Sequence, residues 1–105
     1  MVRVLVTKAE ADAFFEENQE KLIVVDFYAE WCPPCQKISP IFEELANQFQ
    51  DVCFVKVDVD ANRPTSKEYN IKCMPTFVFM KNKRIVHQFS GADEVQLRQS
   101  VAKFH

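Results

Sequence analysis

The chain has 105 residues, of which 48% are hydrophobic and 27% are charged, and its formal net charge is -2. This length predicts one domain over residues 1–105, which can bury a core without disulfide or metal support. The near-neutral charge gives no electrostatic reason to expect binding to nucleic acid or to an anionic membrane, and no run approaches the roughly 20 apolar residues that span a bilayer.

The first part of the chain predicts a strand, a helix and a second strand. Residues 2–6 are rich in β-branched side chains, and Thr7 with Glu10 then forms a capping box that opens a helix to about Asn18. Residues 22–28 are a near-continuous apolar run. Such runs are typical of strands that are buried on both faces of a sheet.

The middle of the chain continues the alternation of helices and strands. Residues 34–49 place apolar side chains at helical spacing over three turns, and Pro40 within them is expected to kink the helix. Residues 52–59 form another apolar run, which predicts a third strand. A proline in the first turn then opens a short helix over residues 64–69.

The last part of the chain predicts a hairpin and a helix. Strands over residues 76–80 and 84–89 are joined by only three residues, which forces them to pair in antiparallel fashion. Asp93, with Gln96 three residues later, caps the final helix. The order is βαβαβαββα, an α/β fold with a central mixed five-stranded sheet flanked by four helices on both faces.

The string Trp31-Cys32-Pro33-Pro34-Cys35 lies where a buried strand meets a helix. A helix N-terminus carries partial positive charge and unpaired N–H groups, and both favour the thiolate, which is the nucleophilic form of cysteine. Two intervening residues let the second thiol reach the first. The spacing therefore predicts a redox-active dithiol.

A zinc site and a purely structural disulfide are the weaker alternatives for this pair. Zinc needs four ligands, usually as two close pairs, but Cys53 and Cys73 are single and His87 and His105 are scattered. A disulfide that closes so short a loop constrains the unfolded chain little. We therefore expect no metal site.

A set of short motifs is spread along the chain: Val24-Val25-Asp26-Phe27, Ala29-Glu30-Trp31-Cys32, Pro34-Cys35, Pro40, Val57-Asp58-Val59-Asp60, Met74-Pro75-Thr76-Phe77 and Phe89-Ser90-Gly91-Ala92. Together they resemble the thioredoxin family over the whole length of the chain. The segment Lys72-Cys73-Met74-Pro75 is similar to the animal cytosolic members in particular. The resemblance implies the thioredoxin fold and a protein disulfide reductase activity.

The resemblance also implies the mechanism. The Cys32 thiolate attacks a substrate disulfide, and Cys35 then attacks the Cys32 sulfur and releases the reduced substrate. Asp26 accepts the proton of Cys35, directly or through water. Burial within a strand should raise the pKa of Asp26, which suits a proton acceptor, although a hydrogen-bonded structural carboxylate is the alternative. Lys56 is either the partner of Asp26 or a solvated lysine.

A substrate-docking surface follows from the same resemblance. Pro75 matches the family's cis-proline, which leaves the backbone of Met74 free to pair with an extended substrate. A trans proline that opens a strand is the alternative. The other residues of this apolar surface are Trp31, Pro34, Gly91 and Ala92.

The two remaining cysteines carry different expectations. Cys53 lies in a strand and is expected to be buried and inert. Cys73 should lie near the docking surface, where it cross-links two copies of the chain, accepts a modification or is a passive thiol. We expect a monomer, with a Cys73-linked dimer as the alternative.

The sequence departs from the family at Pro33, where thioredoxins normally have glycine. The Trp-Cys-Pro-Pro-Cys string also resembles that of tryparedoxins and nucleoredoxins, which are longer chains. Pro33 removes one backbone N–H near the Cys32 sulfur and stiffens the motif. We expect Pro33 and Pro34 to tune the reduction potential, with the sign open because the two effects oppose each other.

The leading interpretation is an electron carrier of redox homeostasis that binds no cofactor itself. The chain lacks a nucleotide-binding glycine motif, so its electrons should come from NADPH through a separate thioredoxin reductase. The substrates that the resemblance implies are peroxiredoxins, ribonucleotide reductase and methionine sulfoxide reductase. No apolar signal region follows Met1, so we expect a cytoplasmic protein, with nuclear entry left open. The alternatives are a secretory disulfide oxidase or isomerase and a redox-gated binding module.

Overall fold

The computed structural model describes residues 2–105, and Met1 lies outside the described residues. The elements in chain order are β1 (Arg3–Val4), α1 (Lys8–Glu17), β2 (Ile23–Tyr28), α2 (Pro33–Gln48), β3 (Cys53–Asp58), α3 (Arg63–Glu68), β4 (Thr76–Lys81), β5 (Arg84–Ser90) and α4 (Glu94–Phe104). This order confirms the predicted fold class. Among the described residues, no helix is both long enough and apolar enough to cross a bilayer.

The five strands form one mixed sheet in the order β1-β3-β2-β4-β5. Strands β1 and β2 run parallel to β3, whereas β4 is antiparallel to both β2 and β5. Strand β2 is therefore paired on both sides, and the residues from Ile23 to Phe27 are buried. This central strand leads directly to the cysteine pair.

Strand β1 is shorter than the predicted span of residues 2–6. Only Arg3 and Val4 pair with β3. Leu5 still donates its N–H to the Lys56 carbonyl, but the carbonyl of Leu5 accepts from Asn62 Nδ2 at 3.0 Å instead of from a strand. The side chain of Asn62 therefore replaces a strand as the partner of Leu5, and the pairing of β1 with β3 ends earlier than the β-branched sequence predicts.

Two apolar clusters cover the two faces of the sheet because strand side chains alternate between faces. On one face, Val24 and Phe77 pack with Phe42 of α2 and Leu97 of α4. The residues on the opposite face pack with α1 and are led by Val25, Phe27, Ala11 and Phe15. Asp26 has the parity of Val24, so its carboxyl group lies on the face that α2 covers.

Helix caps fix where the elements begin. Thr7, Cys32, Asn62 and Asp93 each accept a backbone N–H three residues later through the side chain. The hairpin between β4 and β5 turns through Asn82 and Lys83, which both have positive φ. Two successive positive φ values are typical of the tightest hairpin turns, so this turn forms without glycine.

Candidate active site

Cys32 and Cys35 form a disulfide at the N-terminus of α2, with their Cα atoms 5.3 Å apart. Cys32 is the N-cap, and its Sγ atom accepts the backbone N–H of Cys35 at 3.2 Å. Both side chains are only 4% exposed. The sulfur of Cys32 therefore lies at the positive end of the helix dipole, which stabilises negative charge there.

Pro33 and Pro34 occupy the first turn of α2 and are both exposed. Neither has a backbone N–H, so the N–H of Cys35 is the first that α2 offers to the Cys32 sulfur. The helix begins one residue before the predicted start. Proline fits the first helical positions well because their N–H groups have no partner within the helix.

Trp31 is 66% exposed but is held in place. Its Nε1 atom donates to Asp60 Oδ2 at 2.8 Å. Asp60 was not identified as a site residue from the sequence. It lies 29 residues from Trp31 along the chain, and only the fold brings the two together.

The loop before β4 contacts the cysteine pair from the other side. The Met74–Pro75 peptide bond is cis, and the Met74 carbonyl oxygen lies 3.7 Å from Cys32 Sγ. Gly91 has a φ of 102° and donates its N–H to the Pro75 carbonyl at 2.8 Å, which ties two loops together. Ala92 is half-buried and packs on the core.

Asp26 is fully buried, and neither carboxyl oxygen has a hydrogen-bond partner among the described residues. This desolvation raises the pKa of Asp26 from 3.8 to about 7, and the positive charge of Lys56 opposes the rise. The structure therefore differs from the alternative of a hydrogen-bonded structural carboxylate.

Lys56 lies opposite Asp26 in the register of β2 and β3, but its ammonium group bonds elsewhere. Lys56 Nζ donates to Ser39 Oγ at 3.4 Å and lies 4.4 Å from the centre of the Tyr28 ring. An open cavity of about 320 Å³ reaches both Lys56 and Cys35. Water can enter beside Cys35 by this route.

The other two cysteines are free and lie in different surroundings. Cys53, the first residue of β3, is half-buried and not fully buried as predicted. Burial nevertheless raises the pKa of the Cys53 thiol, with Lys21 opposing. Cys73 is exposed next to Met74, as predicted. Within residues 2–105, no three His, Cys, Asp or Glu side chains are grouped to hold a metal ion.

Comparison with known proteins gives a consistent answer. A family model described as Thioredoxin matches residues 3–103. Thioredoxin from Geodia cydonium is 44% identical over 104 residues and covers 98% of both chains, and thioredoxin from Ictalurus punctatus is 54% identical over 84 residues and covers 78% of both. The X-ray structure of Fasciola hepatica thioredoxin superimposes with a TM-score of 0.95 at 46% identity, over 98% of this chain and 99% of that one. The chain therefore belongs to the thioredoxin family and is a thiol–disulfide oxidoreductase that reduces protein disulfides.

Proposed function

We propose that Cys32 is the attacking thiol of this disulfide reductase and that Cys35 is the resolving thiol. The observation that carries the assignment is the position of Cys32 Sγ at the N-cap of α2, where it accepts the Cys35 N–H. A helix N-terminus favours the thiolate, so Cys32 is the better nucleophile of the two.

The exchange then runs in two steps. The Cys32 thiolate forms a bond to one substrate sulfur, the substrate S–S bond breaks, and the other substrate sulfur leaves and takes a proton from solvent. Cys35 loses its proton and attacks Cys32 Sγ, so the mixed disulfide breaks and the second substrate sulfur leaves. Two electrons pass from the dithiol to the substrate.

Asp26 is the proposed proton acceptor for Cys35. Its raised pKa of about 7 supports this role, because an acceptor works best when its pKa is near the operating pH. The carboxyl group lies on the face that α2 covers, and the open cavity at Cys35 and Lys56 supports transfer through water. Lys56 acts on Asp26 through its charge.

Substrate docks on the surface around the pair. The backbone of Met74 makes no backbone hydrogen bond in the described chain, so its groups are available to an extended substrate. The exposed ring of Trp31, next to Cys32 in the chain, offers apolar contact. The further members of this docking surface are Pro34, Pro75, Gly91 and Ala92.

We further propose a single domain over residues 1–105 that acts as a cytoplasmic monomer. A thioredoxin reductase that uses NADPH re-reduces the dithiol, and peroxiredoxins, ribonucleotide reductase and methionine sulfoxide reductase are the substrates. The membership of the thioredoxin family supports this chain of electron transfer. Cys73, exposed beside Met74, is the proposed point of cross-linking or modification.

Pro33 distinguishes this active site from the glycine usual in the family. We assign it a role in setting the reduction potential, because it removes a backbone N–H next to the Cys32 sulfur. Equilibrating the protein and a Pro33→Gly variant with a series of glutathione ratios measures both potentials. Identical potentials would refute the role.

Reduction of insulin, followed by turbidity, tests the activity and the role of Cys32 together. We expect turnover with dithiothreitol and with NADPH plus thioredoxin reductase, and loss of both in Cys32→Ser. Turnover with dithiothreitol alone would show that another reductant feeds the dithiol. No turnover in either assay would contradict the reductase activity.

A further inference from the structure

A groove of about 440 Å³ opens next to the cysteine pair and is called the α3 groove here. Its apolar lining comes from Val59, Ile71 and Met74. Val59 and Met74 also pack against the cluster that contains Cys32 and Cys35. The α3 groove is therefore continuous with the surface on which a substrate disulfide would lie.

All the charged side chains that line the α3 groove are positive. Arg63, Lys67 and Lys72 line it, and no carboxylate does so in the part of the chain that the structure describes. All three side chains are exposed, and none makes a salt bridge within residues 2–105. On a chain with a net charge of -2, this is a local concentration of unpaired positive charge.

Two carboxylates lie next to Trp31, outside the lining of the α3 groove. Glu30 is exposed next to Trp31, and Asp60 accepts the indole N–H of Trp31. The Oδ1 atom of Asp58 accepts hydrogen bonds from the backbone N–H groups of residues 60 and 61. The active-site surface therefore has carboxylates beside Trp31 and cations in the α3 groove beside Met74.

We propose that the α3 groove selects substrate proteins whose reactive disulfide is flanked by an acidic segment. A substrate strand that pairs with the Met74 backbone continues into the groove, where its Asp or Glu side chains meet Arg63, Lys67 and Lys72. Val59 and Ile71 give apolar contact to the side chains on that same face of the substrate strand. This inference rests on the proposed disulfide exchange at Cys32, because it names the substrate class of that same site.

Exposed ion pairs are weak one by one and are screened by salt. Three of them together should favour an acidic over a neutral substrate by about fivefold in kcat/KM at low ionic strength. The preference should disappear at high salt, because the Debye length then falls to about 3 Å. Discrimination of this size selects among substrates without excluding neutral ones.

Two disulfide-bonded peptides of equal length test the inference. One carries several glutamates around its reactive cysteine, and the other carries glutamine at the same positions. The second-order rate of their reduction by the reduced protein is measured at low and at high ionic strength. We expect the acidic peptide to react about fivefold faster at low salt only.

Charge-neutralised variants locate the effect. The variant Arg63→Gln/Lys67→Gln/Lys72→Gln should lose the preference, so that the acidic and the neutral peptide react at equal rates. The matched control neutralises two lysines and one arginine that are exposed on the hairpin and on α4, as Lys81→Gln/Arg84→Gln/Lys103→Gln. Equal rates for the two peptides with the unaltered protein, or an equal loss of preference in the control, overturns the inference.

A binding measurement separates this inference from the proposed function. Non-reducible peptides, with serine in place of cysteine, are titrated while the fluorescence of Trp31 is followed. Failure to reduce the neutral peptide would contradict the proposed exchange, and the titration would still test the α3 groove. Tighter binding of the acidic peptide that depends on the groove cations supports the inference, and equal binding of both peptides contradicts it.

Discussion

The buried carboxyl group of Asp26 predicts an unusual dependence of stability on pH. In the folded chain its pKa is about 7, because burial disfavours the charged form, whereas the ordinary value is 3.8. Below about pH 4 the group is protonated in both the folded and the unfolded state. Between about pH 4 and pH 7 only the unfolded state ionises, so the folded state loses stability as the pH rises. Above about pH 7 both states are ionised and the loss levels off.

The size of the effect follows from the two pKa values. Each pKa unit corresponds to about 1.4 kcal/mol, so the rise from 3.8 to about 7 amounts to about 4 kcal/mol in the free energy of unfolding. An asparagine side chain resembles the protonated carboxyl group in shape and does not ionise. The Asp26→Asn variant should therefore match the parent near pH 4 and exceed its stability by up to about 4 kcal/mol near pH 8.

Urea unfolding of the oxidised protein and the variant over this pH range measures the difference. The matched control is Asp51→Asn, which removes an exposed carboxylate instead of a buried one. A difference in unfolding free energy between Asp26→Asn and the parent that stays constant from about pH 4 to pH 8 would refute the reasoning.

The same variant should slow the attack of Cys35 by about 100-fold or more, so the mixed disulfide accumulates.

Two further outcomes follow from the site. In the oxidised protein, iodoacetamide should label exposed Cys73 at least about tenfold faster than half-buried Cys53, because burial raises the pKa of the Cys53 thiol. Mass spectrometry of the digested protein measures both rates. Faster labelling of Cys53 would contradict the burial argument. Asp60→Ala removes the hydrogen bond that holds Trp31 and should lower kcat/KM for insulin about fivefold, as the loss of about 1 kcal/mol implies. Asp60→Asn keeps an acceptor and should restore most of the rate, whereas equal losses in the two variants would show that the charge matters and not the bond.

Local signals in the sequence were enough to predict the order of the elements. The caps at Thr7 and Asp93 and the short loop between β4 and β5 act between residues that are close in the chain. The active-site pair was equally local, since a strand end, a helix start and two cysteines lie within one short segment. Such features need no knowledge of the tertiary fold.

Some features that depend on contacts between distant segments were not predicted. The hydrogen bond from Trp31 to Asp60 joins the segments that follow β2 and β3, and no periodic pattern in the sequence predicts it. Lys56 was considered as a partner for Asp26 and acts on it through its charge, but its ammonium group bonds to Ser39 and lies near the Tyr28 ring. The α3 groove likewise combines α3 with the loop that follows it and with Met74. Side-chain direction and shared cavities are properties of the packed chain.

The near absence of glycine bears on the unfolded chain as well. Gly91 is the only glycine, whereas Asn70, Asn82 and Lys83 hold φ values of 57°, 53° and 64° with side chains attached. These residues accept some backbone strain in the folded state. In return, the denatured ensemble samples fewer conformations than a glycine-rich chain of equal length, so less backbone entropy is lost when the protein folds.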